Sequence, residues 1–311
     1  MIESTIISNE FLFSNKKNNF IKNSNNTNTL ILTDFDYTIS KRYMNNNNNI
    51  KEYYSTYCFI EQSDLSKKLN LLEKINELKE KYLPYETNTS INYKEREEKI
   101  KEWFIKSFEL YIKCNFTYID LENIVNEGLN KKNNFFFKDY FFEYFNKLIE
   151  LNFSIVIVSG GIKEIIEILF KKFIKNYEQL KKNKKIIILA NYFNFNKFTG
   201  VIENYNSDNL IFTFNKSIEI KKLIDKQFKN IQYIFLFGDH LNDIDMIKDL
   251  NILKENILSF GFINIKRNIN SDMDNEEIKK QIELYKQTFD VIILNDSYLF
   301  IVDILNQFYI K

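Results

Sequence analysis

The chain has 311 residues, 44% of them hydrophobic, and sets 43 basic against 42 acidic side chains for a formal net charge of +1. That balance excludes a molecule drawn by bulk charge to nucleic acid or to an anionic membrane, and the hydrophobic share excludes wholesale disorder. One histidine excludes a His-rich metal site; two cysteines, Cys58 and Cys114, exclude a disulfide framework or a Cys-based zinc cluster and fit a reducing compartment.

Met1 to Phe13 carry Glu3 and Glu10 and lack a basic start with an apolar middle, so no secretory signal is expected. No apolar stretch approaches the ~20 residues of a membrane span, which leaves the cytoplasm as the expected location. Residues 1–28 read as an untidy N-terminal segment, and the Asn-rich runs near Asn23–Asn28 and at Asn45–Asn49 read as loops. Leu30 to Asp34 is a short apolar run ending in an acid, the pattern of a buried strand. From Tyr53 to Phe145 the spacing is mostly helical, clearest over Leu65–Tyr82 and Tyr93–Lys113. Further apolar strands are expected at Phe153–Val158, Ile186–Ala190, Tyr233–Phe237 and Asp290–Leu294, with helices at Glu164–Ile174, after Asp239 and at Tyr298–Phe308. Strands alternating with amphipathic helices predict an α/β fold with a parallel sheet covered on both faces. The predicted division is a core of residues 29–44 and 134–311 with a helical cap, residues 45–133, inserted after the first strand.

In such sheets, functional groups gather at the carboxyl ends of strands. Three strands end in polar clusters. The first ends in Asp34-Phe35-Asp36-Tyr37-Thr38, where two carboxylates repel unless a cation or a proton intervenes. The second ends in Ser159-Gly160-Gly161, offering a hydroxyl, backbone N–H groups and an expected helix start, all suited to an anion. The third is Gly238-Asp239-His240-Leu241-Asn242-Asp243, with two more carboxylates four apart. Aspartate oxygens suit Mg²⁺, which accepts few protein ligands. Each cluster alone could be a turn or a cap; their joint occurrence in this order points to a phosphate substrate. Of the 6 glycines, Gly160, Gly161 and Gly238 fall in these turns.

The set DFDYT, SGG, a downstream lysine and GDHLND resembles the haloacid-dehalogenase-like (HAD) superfamily of Mg²⁺-dependent phosphohydrolases. DFDYTIS, EREEKIKEWFIKS, FTGVIE with FTFNKS, GDHLNDIDM and VIILNDSYL narrow it: the chain resembles the pyrimidine 5′-nucleotidase family, also called cytosolic 5′-nucleotidase type III, over most of its length. The resemblance implies a HAD-like core with an inserted cap and a Mg²⁺-dependent phosphomonoesterase for nucleoside 5′-monophosphates of the UMP/CMP type. It makes Asp34 the nucleophile that accepts the phosphoryl group and Asp36 the general acid and base. Ser159 and the Gly160 backbone would hold phosphate, and Lys216 would neutralise its oxygens. Asp239 would bind the metal with the Asp34 carboxylate and the Asp36 carbonyl, while Asp243 would hold the metal's waters or orient Lys216.

His240 reads as a bystander, because aspartate chemistry needs no imidazole. Glu95, beside Arg96, aligns with an acid that contacts the nucleotide base, and a carboxylate selects an exocyclic amine or a protonated ring edge. Trp103 reads as helix-core packing, and Phe104 is left outside the site with it. Ser-Gly-Gly-Ile-Lys-Glu replaces the family's usual Ser-Ala-Gly-Ile-Gly-Asp, a form shared with phosphoserine-phosphatase-type relatives. Those usually carry a glutamate just after the first motif, and Ile39-Ser40-Lys41-Arg42 has none. A phosphatase for another small phosphomonoester is therefore the alternative, and a non-catalytic nucleotide-binding protein a distant one, since both motif aspartates are kept. The expected partner is a small nucleotide, not nucleic acid or membrane, and the expected state is a monomer.

Overall fold

Among the described residues eleven strands form, those of the central sheet where the sequence offers β-branched or aromatic runs. They are β1 (Thr5–Ile7), β2 (Thr29–Thr33), β3 (Tyr43–Asn46), β4 (Asn49–Glu52), β5 (Ser154–Ile162), β6 (Ile186–Asn191), β7 (Phe193–Phe195), β8 (Ile202–Tyr205), β9 (Tyr233–Gly238), β10 (Ile257–Phe262) and β11 (Val291–Ile293). The computed structural model describes residues 5–46, 49–88, 90–131, 133–228, 230–266 and 276–310. Seven strands make one sheet in the order β1-β11-β10-β9-β2-β5-β6, parallel except for β1 against β11. At its centre Leu32 lies opposite Val156 on β5 and Leu236 on β9.

Alternation along these strands splits the core in two. Ile31, Ile155, Ile157, Phe235 and Phe237 face one side, with Phe141 and Ile301 from helices Phe141–Glu150 and Leu299–Asn306. Leu30, Leu32, Val156, Val158, Ile234 and Leu236 face the other, with Ile220 and Ile282 from helices Lys216–Gln227 and Glu276–Lys286. A sheet buried on both faces explains why the strands read as continuous apolar runs. Because β2, β5 and β9 are parallel neighbours, their carboxyl ends share one edge, and the polar clusters read from the sequence meet there.

Several expectations change. The N-terminal segment is not untidy among its described residues: β1 completes the sheet and helix Glu10–Asn23 packs beneath it. Phe20 is fully buried, its ring 4.8 Å from Phe235 and 5.1 Å from Tyr233, and Lys16 pairs with Asp290 at 2.6 Å. In the Asn45–Asn49 run, expected as a loop, Asn45, Asn46 and Asn49 belong to the β3–β4 hairpin, while residues 47 and 48 lie outside the described residues. The helix expected over Leu65–Tyr82 is two, Asp64–Lys68 and Leu71–Thr87, broken at Asn70 with φ 53°. Helix Tyr93–Lys113 has the expected bounds. After Asp239 the chain forms a 3₁₀ turn, Leu241–Ile247, rather than an α-helix, and β10 and the β7–β8 hairpin are additional. No described helix is long and apolar enough to cross a membrane.

Candidate active site

Asp34 follows β2 directly, and its N–H donates to the Phe237 carbonyl on β9 at 3.0 Å. Its side chain is buried, and Oδ1 accepts from Lys216 Nζ at 2.7 Å. Lys216 opens helix Lys216–Gln227 and also donates to Asp243 Oδ1 at 2.8 Å. One buried ammonium therefore bridges two carboxylates delivered by different loops. Asp243 turns its other oxygen back onto the N–H groups of Asp239 and His240, at 3.1 and 3.0 Å. Both of its oxygens are engaged, so it braces the loop and orients the lysine. Gly238 makes this possible: a Cβ there would come within 2.3 Å of the Asp243 Cβ.

Asp34, Asp239 and Asp243 each present an oxygen within 4.8 Å of the others. Burial pushes the Asp34 carboxyl up; Lys216 opposes the shift, while Asp243 and Asp239 reinforce it. Asp239 is pushed up in the same way, by burial and then by Asp243. Burial would lower Lys216, but Asp243 and Asp34 outweigh it and hold the ammonium above its ordinary value. Three acids against one cation leave a deficit of positive charge that a divalent ion fits, and the all-oxygen donor set suits Mg²⁺.

Asp36 is held by Thr56, a residue outside the three strand-end clusters. Thr56, at the start of helix Thr56–Glu61, donates its N–H to Oδ1 at 2.8 Å and its hydroxyl to Oδ2 at 2.7 Å. Burial pushes Asp36 up to about 7, with the Thr56 bonds opposing, a value suited to giving and taking a proton near neutrality. The Thr56 hydroxyl also accepts the N–H of Ile162 at 3.2 Å. Gly161 leaves room for it, since a Cβ there would lie 2.2 Å from Thr56 Oγ1. The Ser55-Thr56 pair before an apolar run was the available signal, and it reads as an ordinary helix cap.

Ser159, Gly160 and Gly161 precede a helix, as expected, without forming its first turn. They remain in β5, and the helix begins at Lys163 with no side-chain cap. Ser159 Oγ accepts the Gly161 N–H at 3.0 Å, which leaves the hydroxyl proton for a ligand. The Gly160 carbonyl is fixed by the Tyr57 hydroxyl at 2.6 Å and by Asn191 Nδ2 at 2.7 Å. A Cβ at Gly160 would meet only ordinary contacts, at 3.5 Å and beyond, so this glycine is not a steric requirement.

His240 is exposed and accepts the Asn242 N–H on Nδ1 at 3.1 Å, which makes it a turn cap. Trp103 stacks on buried Tyr82, centroids 6.3 Å apart. Phe104, left outside the site by sequence, borders Gly160, its ring 3.6 Å from a Cβ built there. Glu95 is exposed in the first turn of helix Tyr93–Lys113. Its neighbour Arg96 is buried over the Phe214 ring, 5.2 Å from its centroid, and donates to the carbonyls of Tyr85 and Glu86 at 2.9 and 2.8 Å. That clamp fixes the end of helix Leu71–Thr87 and with it Glu86, whose half-buried carboxyl is pushed up by burial while His240, Arg42, Lys79 and Arg96 pull it down. Glu86, unlike Glu95, is half-buried, and His240 is the charged group that acts on it most strongly.

A family model described as pyrimidine 5′-nucleotidase (UMPH-1) matches residues 37–309. The 7-methylguanosine phosphate-specific 5′-nucleotidase A of Xenopus laevis is 26% identical over 286 residues, covering 89% of this chain and 86% of the relative. The 7-methylguanosine phosphate-specific 5′-nucleotidase of Homo sapiens is 24% identical over 279 residues, covering 89% and 83%. The crystal structure of cytosolic 5′-nucleotidase IIIB bound to cytidine superposes with a TM-score of 0.75 at 19% identity, covering 99% of this chain and 94% of that one. That similarity shows the shared α/β fold.

Proposed function

The chain belongs to the pyrimidine 5′-nucleotidase family, and from that premise we propose that it hydrolyses pyrimidine nucleoside 5′-monophosphates through a phosphoryl group held on Asp34. Membership makes it a 5′-nucleotidase, a phosphatase of nucleoside monophosphates. The observation that carries the mechanism is Lys216 bridging Asp34 and Asp243 beside an Asp36 gripped by Thr56. Asp34, Asp239 and the backbone of Asp36 would hold Mg²⁺, with Asp243 in support; bound there, the ion supplies charge neutralisation for the phosphate.

In the first half, the Asp34 carboxylate attacks phosphorus and the bond to the 5′ oxygen breaks. Asp36 gives its proton to that leaving oxygen, so the nucleoside departs neutral. In the second, Asp36 takes a proton from water as the water oxygen attacks phosphorus, and the bond to Asp34 breaks to release inorganic phosphate. Lys216 stabilises charge on the non-bridging oxygens in both halves, and Ser159 donates its hydroxyl to the phosphate. Glu86, with Phe104 and Tyr57 nearby, receives the base edge.

A second reading, 7-methylguanosine 5′-monophosphate, is favoured by the relatives' names and by Glu86, since a half-buried carboxylate suits a cationic base. Phosphate release from UMP, CMP, 7-methylguanosine 5′-monophosphate and phosphoserine, with and without Mg²⁺, decides between them. Acid-quenched turnover of phosphorus-labelled substrate is expected to leave label on the parent and none on Asp34→Asn. Undiminished turnover by Asp34→Asn, or equal turnover of phosphoserine, would refute the reading.

A further inference from the structure

Behind Asp239 lies a chain of contacts that the mechanism does not use, and it gives a role to the VIILNDSYL stretch. Lys138 is 2% exposed, an uncommon state for a lysine. Its ammonium donates to Asp296 Oδ1 at 2.5 Å and to Asn264 Oδ1 at 2.8 Å, and lies 4.9 Å from the centroid of the Phe262 ring. Asn264, just past β10, uses its amide nitrogen twice: it donates to Asp239 Oδ2 at 3.1 Å and to the Tyr37 carbonyl at 3.1 Å. Tyr37 sits between the two motif aspartates and the rest of their loop with φ 63°, a left-handed conformation costly for a bulky residue.

We propose that Lys138, Asn264 and Asp296 form a positioning relay that sets the Mg²⁺ affinity of the site by fixing Asp239 and the Tyr37 turn. The relay rests on the metal-site reading above. Its logic is donor and acceptor arithmetic. An ammonium only donates, so Lys138 compels the carbonyl oxygen of Asn264 to face it. The amide NH₂ must then face Asp239 and Tyr37, where a flipped amide would set its oxygen against a carboxylate. Asp296, from the loop after β11, neutralises the buried ammonium that imposes this orientation. One hydrogen bond on Oδ2 restrains the rotation of the Asp239 carboxylate, and the second holds the backbone between Asp36 and Thr38. The two loops that deliver the metal's ligands are thereby tied to one side chain.

Second-sphere contacts of this kind typically change metal affinity by about 10- to 100-fold when removed. Mg²⁺ titration calorimetry on the intact, substrate-free protein tests the proposal, together with the Mg²⁺ concentration for half-maximal turnover. Asn264→Ala is expected to raise the Mg²⁺ dissociation constant by about 10- to 100-fold, with kcat largely recovered at saturating Mg²⁺. Asp296→Asn, which keeps the shape and removes the charge, is expected to shift it in the same direction by less. A purely structural role would lower the melting temperature of the metal-free variants and leave the dissociation constant unchanged; that result in both variants overturns the relay. A parent that binds no Mg²⁺ overturns the metal reading itself, and the relay with it.

Discussion

Glu86 and Glu95 lie nine positions apart in the sequence, and the fold treats them differently. Arg96 spends its guanidinium on the carbonyls of Tyr85 and Glu86, which secures the last turn of helix Leu71–Thr87 in the manner of a cationic C-cap. Glu95, one residue earlier on its own helix, points to solvent as a consequence of helical geometry. Charge-assisted hydrogen bonds contribute about 1.5–3 kcal/mol when their partner is removed. Glu86→Gln is therefore expected to cost about 10- to 100-fold in kcat/KM for CMP, while turnover of ribose 5-phosphate, which lacks a base, stays at its parent level. Glu95→Gln is expected to change neither. Steady-state kinetics on both substrates checks this, and equal losses from the two variants would reject the assignment to Glu86.

At the scale of elements, β5 and the start of helix Thr56–Glu61 meet so closely that one methyl group separates a working site from a strained one. A Cβ on Gly161 would collide with Thr56 Oγ1 at 2.2 Å and crowd Asp36 Oδ2 at 2.9 Å, whereas a Cβ on Gly160 finds ordinary contacts. Gly161→Ala is expected to lose about 1–3 kcal/mol of stability, the usual cost of overpacking, and to lower kcat by displacing Asp36. Gly160→Ala is expected to stay near the parent in both. Thermal denaturation and kcat together separate the two glycines. The same contrast shows what sequence makes legible. Asp34, Asp36, Asp239 and Asp243 could be read because each follows an apolar strand and parallel strands align their ends. Thr56 and Asn264 could not: they reach Asp36 and Asp239 across 20 and 25 residues, through tertiary approach with no local pattern. Helix Glu10–Asn23 escaped for a related reason. Its buried residues, Phe13 and Phe20, are seven apart among asparagines and lysines, too sparse for a helical period.

At the scale of the whole molecule, the metal site proposed above would link Mg²⁺, protons and stability through the carboxylates at the sheet's edge. Folding buries Asp34 and half-buries Asp36 and Asp239, and their carboxyls rise from 3.8 to about 7. A group whose folded pKa exceeds its unfolded one contributes stability that is fully present below the unfolded value and lost as pH climbs through the folded value. Without Mg²⁺, their contribution should therefore fall between about pH 4 and about pH 7. A cation bound there would reverse this for Asp34 and Asp239, because it would bind the ionised form and displace their protons. Mg²⁺ should thus bind more tightly at pH 8 than at pH 6 and release protons as it does so. At a concentration 100 times its dissociation constant it would add about 2.7 kcal/mol of stability. Denaturant unfolding at the two pH values, with Mg²⁺ or with a chelator, is expected to show a stabilisation by Mg²⁺ that is larger at pH 8. Asp239→Asn, which removes one ligand and one titrating group, should shrink both the stabilisation and its pH dependence. A stabilisation that is equal at pH 6 and pH 8 would mean that the ion does not displace protons from this cluster.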